Sequence, residues 1–392
     1  MKNNQKGDKM NEDSRPYAKD SDGKTVDPLF GPIWIKETKG MTTSKRDLNG
    51  KFCEKLYTWL EVDMWGKAWM CCPSWLPYPI GNVLTDSLEE IWNGPKAQEL
   101  RNQIFTGDWK YCQHDFCPLI VSNNLLDLKD VENPPTTTVA PLPTKINFSN
   151  DESCNLKCPS CRIDKMLFTE GPLYERRKLI NDIIYNMLFK EPTDRHFSIH
   201  VTGSGDPFAS RIYREMLQKI DGKNFPNLEV NLQTNGVMFT PKNWNRIHKI
   251  HNNLKQCAIS FDAGTKETYE NKTRIGGNWE LLLENCKFLD TQNERFPKFN
   301  IVYDFVVQVD NYKEMHEYIK TIDNLFPNAN SINFSLVTDW GTWPKDIYDQ
   351  KCIWKDSHPE HRNLLEILKD PIFKHPKVRL GNLTSIWKKA NE

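Results

Sequence analysis

The chain has 392 residues, 38% hydrophobic and 27% charged, with 52 basic against 52 acidic side chains, a profile that suits a globular protein of two domains or one large domain with an appendage. Balanced charge gives no reason to expect nucleic acid or an anionic membrane as partner. No apolar run approaches the roughly 18 residues of a membrane span, and the polar N-terminus lacks the apolar stretch of a secretory signal.

Residues 1–28 read as a disordered tail. Eleven cysteines without a signal peptide imply a reducing, cytoplasmic setting and metal ligation rather than disulfides. The first group is Cys53, Cys71, Cys72, Cys112 and Cys117. Inside it, Ser87-Leu-Glu-Glu90 is a capping box ahead of apolar Ile91, Trp92, Leu100 and Ile104, which predicts one amphipathic helix between the cysteine pairs. Four thiolates from two loops around such a helix can fill all four corners of an iron–sulfur cluster, and a tetrahedral zinc site would use the same ligands. Residues 132–145 then carry four prolines and no apolar periodicity, as an extended connector does.

Beyond that connector the texture changes. Candidate strands lie at 145–149, 196–202, 228–232, 256–261, 299–309 and 331–337. Apolar faces of helical period separate several of them, such as Leu179, Ile180, Ile183, Ile184, Met187 and Leu188. This alternation predicts an α/β fold with a parallel sheet, open or closing into a barrel. Directly after the first strand comes Cys154-Asn-Leu-Lys-Cys158-Pro-Ser-Cys161. Three thiolates at that spacing fit one face of a cubane cluster and leave a fourth iron without a protein ligand. A zinc knuckle with a distant fourth ligand is the competing arrangement.

The Cys154, Cys158, Cys161 spacing after a first β-strand resembles the radical S-adenosylmethionine (SAM) family. The resemblance implies a partial (β/α)6 barrel, a three-cysteine [4Fe–4S] cluster, and SAM cleaved to a 5′-deoxyadenosyl radical that abstracts hydrogen. It implies SAM contacts at Ser204, Gly205, Asp206 and Pro207, similar to the family's Gly-Gly-Glu-Pro turn, with Ser204 and Asp206 as departures. Thr234 and Asn235 match the Thr-Asn-Gly that closes the third strand; Ser260, Asp262 and Arg274 stand where ribose and carboxylate contacts fall, and Val307 and Gln308 near the adenine.

Upstream, the pattern CC…GNV…SLEEIWNG…LR…C…C resembles the SPASM/twitch accessory domain. That resemblance implies a second [4Fe–4S] cluster on Cys53, Cys71, Cys112 and Cys117, with Cys71 preferred to Cys72 because it completes Gly-x4-Cys from Gly66. The order is permuted, since SPASM domains usually follow the barrel. The expected division is a SPASM-like module at 29–122, a linker at 123–144, a radical SAM core at 145–340 and a C-terminal extension at 341–392. The expected activity is hydrogen abstraction from a carbohydrate or other small molecule, in oxidation or epimerisation, with electrons from a flavodoxin or ferredoxin. Peptide modification is the alternative within the family, and a non-catalytic electron carrier or zinc-stapled binding protein the alternative outside it. Cys257 and Cys286 read as core residues, and Cys352, after the sixth strand, as a candidate hydrogen donor.

Overall fold

The computed structural model describes residues 46–392 apart from Phe116, together with the backbone of three short antiparallel strands, β1 (Ala18–Lys19), β2 (Thr25–Asp27) and β3 (Gly31–Pro32). Apart from β1 and β2, which fall within it, the disordered tail expected at 1–28 lies outside the described residues, as does the boundary after it. The molecule is a mixed α/β fold around one ten-stranded, mostly parallel sheet in the order β15-β14-β13-β12-β11-β10-β9-β5-β6-β7.

The N-terminal part opens with β4 (Lys51–Phe52), which pairs with β8 (Leu126–Asp127). Between them lie α1 (Lys55–Thr58), β5 (Trp59–Asp63), β6 (Lys67–Trp69), β7 (Gly81–Asn82), α2 (Leu88–Asn93), α3 (Pro95–Thr106) and α4 (Pro118–Val121). The capping box forms at α2: the Ser87 hydroxyl accepts from the Glu90 amide while the Glu90 carboxylate accepts from the Ser87 amide. The β5–β6 turn needs glycine at its tip. Gly66 has φ +80, and a Cβ there would stand 2.5 Å from Asn82 Oδ1.

Strand β5 runs parallel to β9 (Lys145–Ser149), from Trp59 opposite Lys145 to Asp63 opposite Ser149. The cysteine-rich segment and the rest of the chain therefore share one sheet. The proline-rich stretch is pinned along α2 and α3 on the way: Trp92 Nε1 donates to Pro141 O and Asn93 Nδ2 to Ala140 O. Buried Arg101 donates to Thr138 O and stacks on Trp92.

Six strand–helix units follow in sequence order. They are β9 with α5 (Gly171–Phe189), β10 (Phe197–Val201) with α6 (Arg211–Lys219), and β11 (Leu228–Thr234) with α7 (Pro241–Arg246). Next come β12 (Leu254–Ser260) with α8 (Lys266–Thr268) and α9 (Trp279–Arg295), β13 (Asn300–Val307) with α10 (Met315–Leu325), and β14 (Ser331–Leu336) with α11 (Lys345–Lys351) and α12 (His361–Leu368). All pair parallel with their neighbours, and β15 (Val378–Arg379) adds one further parallel strand before α13 (Thr384–Asn391).

Alternation along the strands gives the sheet two unlike faces. Ile146, Phe148, Ile199, Val230, Ile259 and Ile301 are buried in the main apolar core. Most of the intervening positions are polar. Glu61 lies opposite Asn147, Asn147 opposite His200, and His200 opposite Asn231. Among the described residues no helix is long and apolar enough to cross a membrane.

Candidate functional site

The loop after β9 is held by buried charge that is fully used. Asp151 accepts from the Ser153 amide and hydroxyl and from Ser210 Oγ, and Glu152 takes a two-pronged pair from Arg177 at 2.5 and 3.0 Å. Cys154 then pairs across the loop with Met166. Cys154 and Cys158 are buried and Cys161 is exposed.

Each of the three thiols meets one side-chain N–H donor. Asn235 Nδ2 lies 3.7 Å from Cys154 Sγ, Arg274 Nη1 3.5 Å from Cys158 Sγ, and Arg162 Nη2 3.5 Å from Cys161 Sγ. Burial pushes the Cys154 thiol up to about 12, against the pull of Arg162, and raises Cys158 against the pull of Arg274. Bound iron would take the place of those protons.

Arg274 also pairs with Asp262 at 2.6 Å. Asp262 has φ 59 and accepts the Val306 amide, so the pair ties the ends of β12 and β13 to the Cys158 loop. Burial raises the Asp262 carboxyl and Arg274 works against that shift.

The Ser204–Pro207 turn docks on the cysteine loop. Gly205 has φ +76, and a Cβ on it would meet Asp151 O at 2.6 Å and Ser153 O at 2.8 Å. Ser204 Oγ donates to Ser149 O. Asp206 is saturated: Oδ1 accepts the Phe208 and Ala209 amides, while Oδ2 accepts Thr234 Oγ1 and the Asn235 amide. Asp206 and Thr234 thus brace two strand ends against each other. Pro207 and Val307 are buried, Val307 O taking the Val337 amide. Unused polar capacity lies at this end of the sheet as well as elsewhere: Arg162 Nε, Arg274 Nε and Gln308 Oε1 are buried without a hydrogen-bond partner among the described residues. A bound polar molecule beside the three thiols would satisfy them.

Beside this end the polar sheet face opens into a cavity of about 430 Å³ lined by residues of β11 to β15. Ser260, Asp304, Asn333 and Arg379 face one another in register across four strands of its floor. Burial pushes Asp304 up to about 6, with its Asn333 hydrogen bond opposing.

The second cysteine group surrounds a separate space. Cys53, Cys71, Cys112 and Cys117 line one cavity of about 220 Å³, walled by Leu56, Leu76, Trp75, Trp109 and Ile120 with Lys55 as its cation. Burial pushes Cys53 up to about 11 and raises Cys71 and Cys112. Cys72 is not in that wall; its thiol bonds to Ser74. Among the described residues no three His, Cys, Asp or Glu side chains converge as ligands of one ion would. The four thiols border a volume rather than meet at a point.

The structure gathers Ser204, Gly205, Asp206, Thr234, Asn235, Asp262 and Arg274 around the Cys154 loop, and sets Ser260 one pleat further into the polar cavity. Cys352 is buried at the end of α11 against Tyr348 and Lys355, one residue from Lys351, whose carbonyl takes the Val309 amide just past β13. Cys257 and Cys286 are core residues. Sequence reasoning missed Arg162, although it directly follows Cys161. It also missed Asp304, Asn333 and Arg379, whose only signal was polar residues at alternate strand positions.

Residues 53–118 match the family model of SPASM, an iron–sulfur cluster-binding domain; the match spans all four thiols of the apolar cavity. No curated protein matches the chain. Two solved structures of the radical SAM methyltransferase TsrM from Kitasatospora setae are similar. The one with cobalamin and a [4Fe–4S] cluster bound has a TM-score of 0.31 at 11% identity, over 48% of this chain and 34% of that one. The one with tryptophan substrate and the SAM analogue aza-SAM has 0.32 at 12%, over 61% and 49%. The chain thus spans less than half the length of TsrM. It is similar to a SPASM domain over its N-terminal part and to a radical SAM enzyme over a larger share.

Proposed function

We propose that this chain is a radical SAM enzyme with two iron–sulfur clusters, acting on a small polar substrate held on the polar face of its sheet. The observation that carries the reading is the matched set of three thiols and three N–H donors at the C-terminal ends of parallel strands. Six strand–helix units support the partial (β/α)6 barrel, with 145–340 as catalytic core and 29–122 as accessory module.

Cys154, Cys158 and Cys161 would hold one [4Fe–4S] cluster, and Cys53, Cys71, Cys112 and Cys117 the other. Bound there, the first cluster would supply the electron that cleaves SAM to methionine and a hydrogen-abstracting 5′-deoxyadenosyl radical. The chain's own residues prepare the place. Arg162, Arg274 and Asn235 donate to the thiolates and fix their direction. Gly205 lets the turn's backbone approach the loop, leaving Ser204 and Gln308 for SAM. Ser260 marks the step from SAM to the substrate cavity.

That polar floor supports a carbohydrate or similar metabolite, and oxidation or epimerisation of a C–H bond as the outcome. A flavodoxin or ferredoxin would supply electrons through the exposed Cys161 side. The apolar volume between the four accessory thiols supports a cluster over a single zinc ion.

Anaerobic reconstitution tests the reading. About eight iron atoms per chain are expected, the content of two four-iron clusters, and dithionite with SAM should release 5′-deoxyadenosine. Full iron loading without SAM cleavage above background would leave only an electron carrier or binding protein. About four iron and one zinc would restore the zinc-stapled module.

A further inference from the structure

The geometry points to Arg379 as the anchor for an anionic group on the substrate, so that the molecule held in the cavity is a small polyol bearing one carboxylate or phosphate. This rests on the radical SAM reading of the neighbouring site and adds to it the charge of the substrate.

Arg379 comes from β15, inside the segment that sequence reasoning left as an unassigned extension. One register pairing, Asn333 with Arg379, sets it on the edge of the cavity floor. The strand is fixed there from behind, because Asn382 Oδ1 takes the Leu336 amide of β14. The guanidinium is also oriented. Its Nη1 donates to Pro376 O and Val378 O, and among the described residues no hydrogen bond or ion pair takes Nε or Nη2. A carboxylate or phosphate accepts two parallel bonds from a fork of that kind.

The rest of the floor carries groups for hydroxyls. Asp304, which lines the cavity, spends one oxygen on Asn333 Nδ2 at 3.1 Å, and among the described residues no hydrogen bond takes the other. Ser260 lies directly beside it in register. Two strand spacings separate Asp304 from Arg379, about 10 Å between backbones. A sugar whose hydroxyls meet Asp304 and Asn333 therefore brings a terminal anion to Arg379. A cationic ligand would leave the guanidinium facing like charge, and a wholly apolar one would leave the second Asp304 oxygen unmatched. At the other end, Asp262 is two residues past Ser260, about 7 Å along the strand, and pairs with the Arg274 that reaches Cys158. The hydroxyl-bearing end of the ligand accordingly lies nearest the reacting site and the anion furthest from it.

The test measures binding to the anaerobically reconstituted protein with SAM present, by titration calorimetry, using glucuronate, glucose 1-phosphate and glucose. At least one anionic sugar should bind about ten- to a hundredfold more tightly than glucose, the worth of a charge-assisted pair; which one does so separates carboxylate from phosphate. Arg379→Gln, which keeps a donor for the local carbonyls, should erase that advantage, and Arg379→Lys should keep part of it. Asp304→Asn should weaken all the sugars alike. Equal affinity for glucose, no binding of either anionic sugar, or an unchanged affinity in Arg379→Gln would each overturn the assignment. Release of 5′-deoxyadenosine by the same preparations without sugar keeps the two failures apart. Cleavage without Arg379-dependent binding defeats the anchor alone, whereas binding without cleavage defeats the radical SAM reading.

Discussion

The two cysteine groups use the same ligand chemistry in opposite surroundings. Around Cys154, Cys158 and Cys161 the neighbours are polar: two guanidiniums and an amide donate to sulfur, and three buried polar atoms still lack partners. Around Cys53, Cys71, Cys112 and Cys117 the walls are tryptophan, leucine and isoleucine, with a single lysine. One thiol of the first group is exposed; in the second group Cys71 is buried and the other three are half-buried against the hydrophobic core. The first arrangement suits a site that must accept a polar ligand and stabilise changing charge. The second suits a group that stays in place and organises the fold around it. Cysteine spacing alone does not separate these roles. The residues between and around the cysteines do.

The largest effect should come from removing a ligand on each side. Cys158→Ala should reduce 5′-deoxyadenosine release to background. Cys112→Ala should keep SAM binding and leave cleavage within about tenfold of the parent, with the larger fall in thermal unfolding temperature. Equal loss of SAM binding from both changes would erase the contrast, and the shared β5–β9 pairing would then couple the two sites.

Much of this contrast was legible before the fold was known. The strand expected at 145–149 forms over those residues, and the other five fall within a few residues of their expected limits. Strong apolar periodicity next to turn residues leaves little choice there. The capping box at Ser87 is equally local, and it forms. What could not be read was long-range placement. Nothing in the sequence of Trp59–Asp63 says that it pairs with Lys145–Ser149, because a short strand can join any open edge. Arg379 was invisible for the same reason, since two residues of strand carry no period. Asp206 is a third case. Its likeness to the family's glutamate implied a SAM contact through this turn and left the part of its side chain open; the four hydrogen bonds of its carboxylate go to the chain itself.

The next effects in size concern the cations. Arg274→Ala should cost about 3–5 kcal/mol of stability, because it strands the buried Asp262 carboxylate. It should also lower activity or cluster affinity about 10–100-fold, as loss of a partner behind a metal ligand commonly does. Lys55→Ala at the other group should cost only about 0.5–1 kcal/mol, the range of a partly exposed cation over a ring; Lys55 lies over Trp59 and Trp75. Denaturant unfolding of both variants checks the ordering. A Lys55 variant as damaged as the Arg274 one would mean that the apolar group also depends on its neighbouring charge.

Asp206→Asn should be intermediate. The amide keeps one acceptor oxygen, so two of the four hydrogen bonds are lost or reversed, at about 1–3 kcal/mol. If Asp206 braces strand ends rather than touching SAM, the affinity for SAM should change less than the stability does. A large loss of SAM affinity at unchanged stability would return Asp206 to the binding role its sequence context suggested.

The smallest effect is expected one residue from a ligand. Cys71 and Cys72 are adjacent, yet only Cys71 faces the cavity shared with Cys53, Cys112 and Cys117. Both lie past the end of β6, where the chain bends at Cys71 and enters the turn whose Trp75 and Leu76 amides bond Cys72 O. Cys71→Ser should therefore cost the protein about four iron atoms per chain. Cys72→Ser should keep the full iron content and change stability by about 0.5 kcal/mol or less, since serine can keep the contact with Ser74 without touching the core. Iron analysis of the two variants, purified side by side, decides between them. If Cys72→Ser is the one that loses iron, the chain must turn over between these residues when the cluster binds. The apolar cavity would then not be the shape of the loaded site.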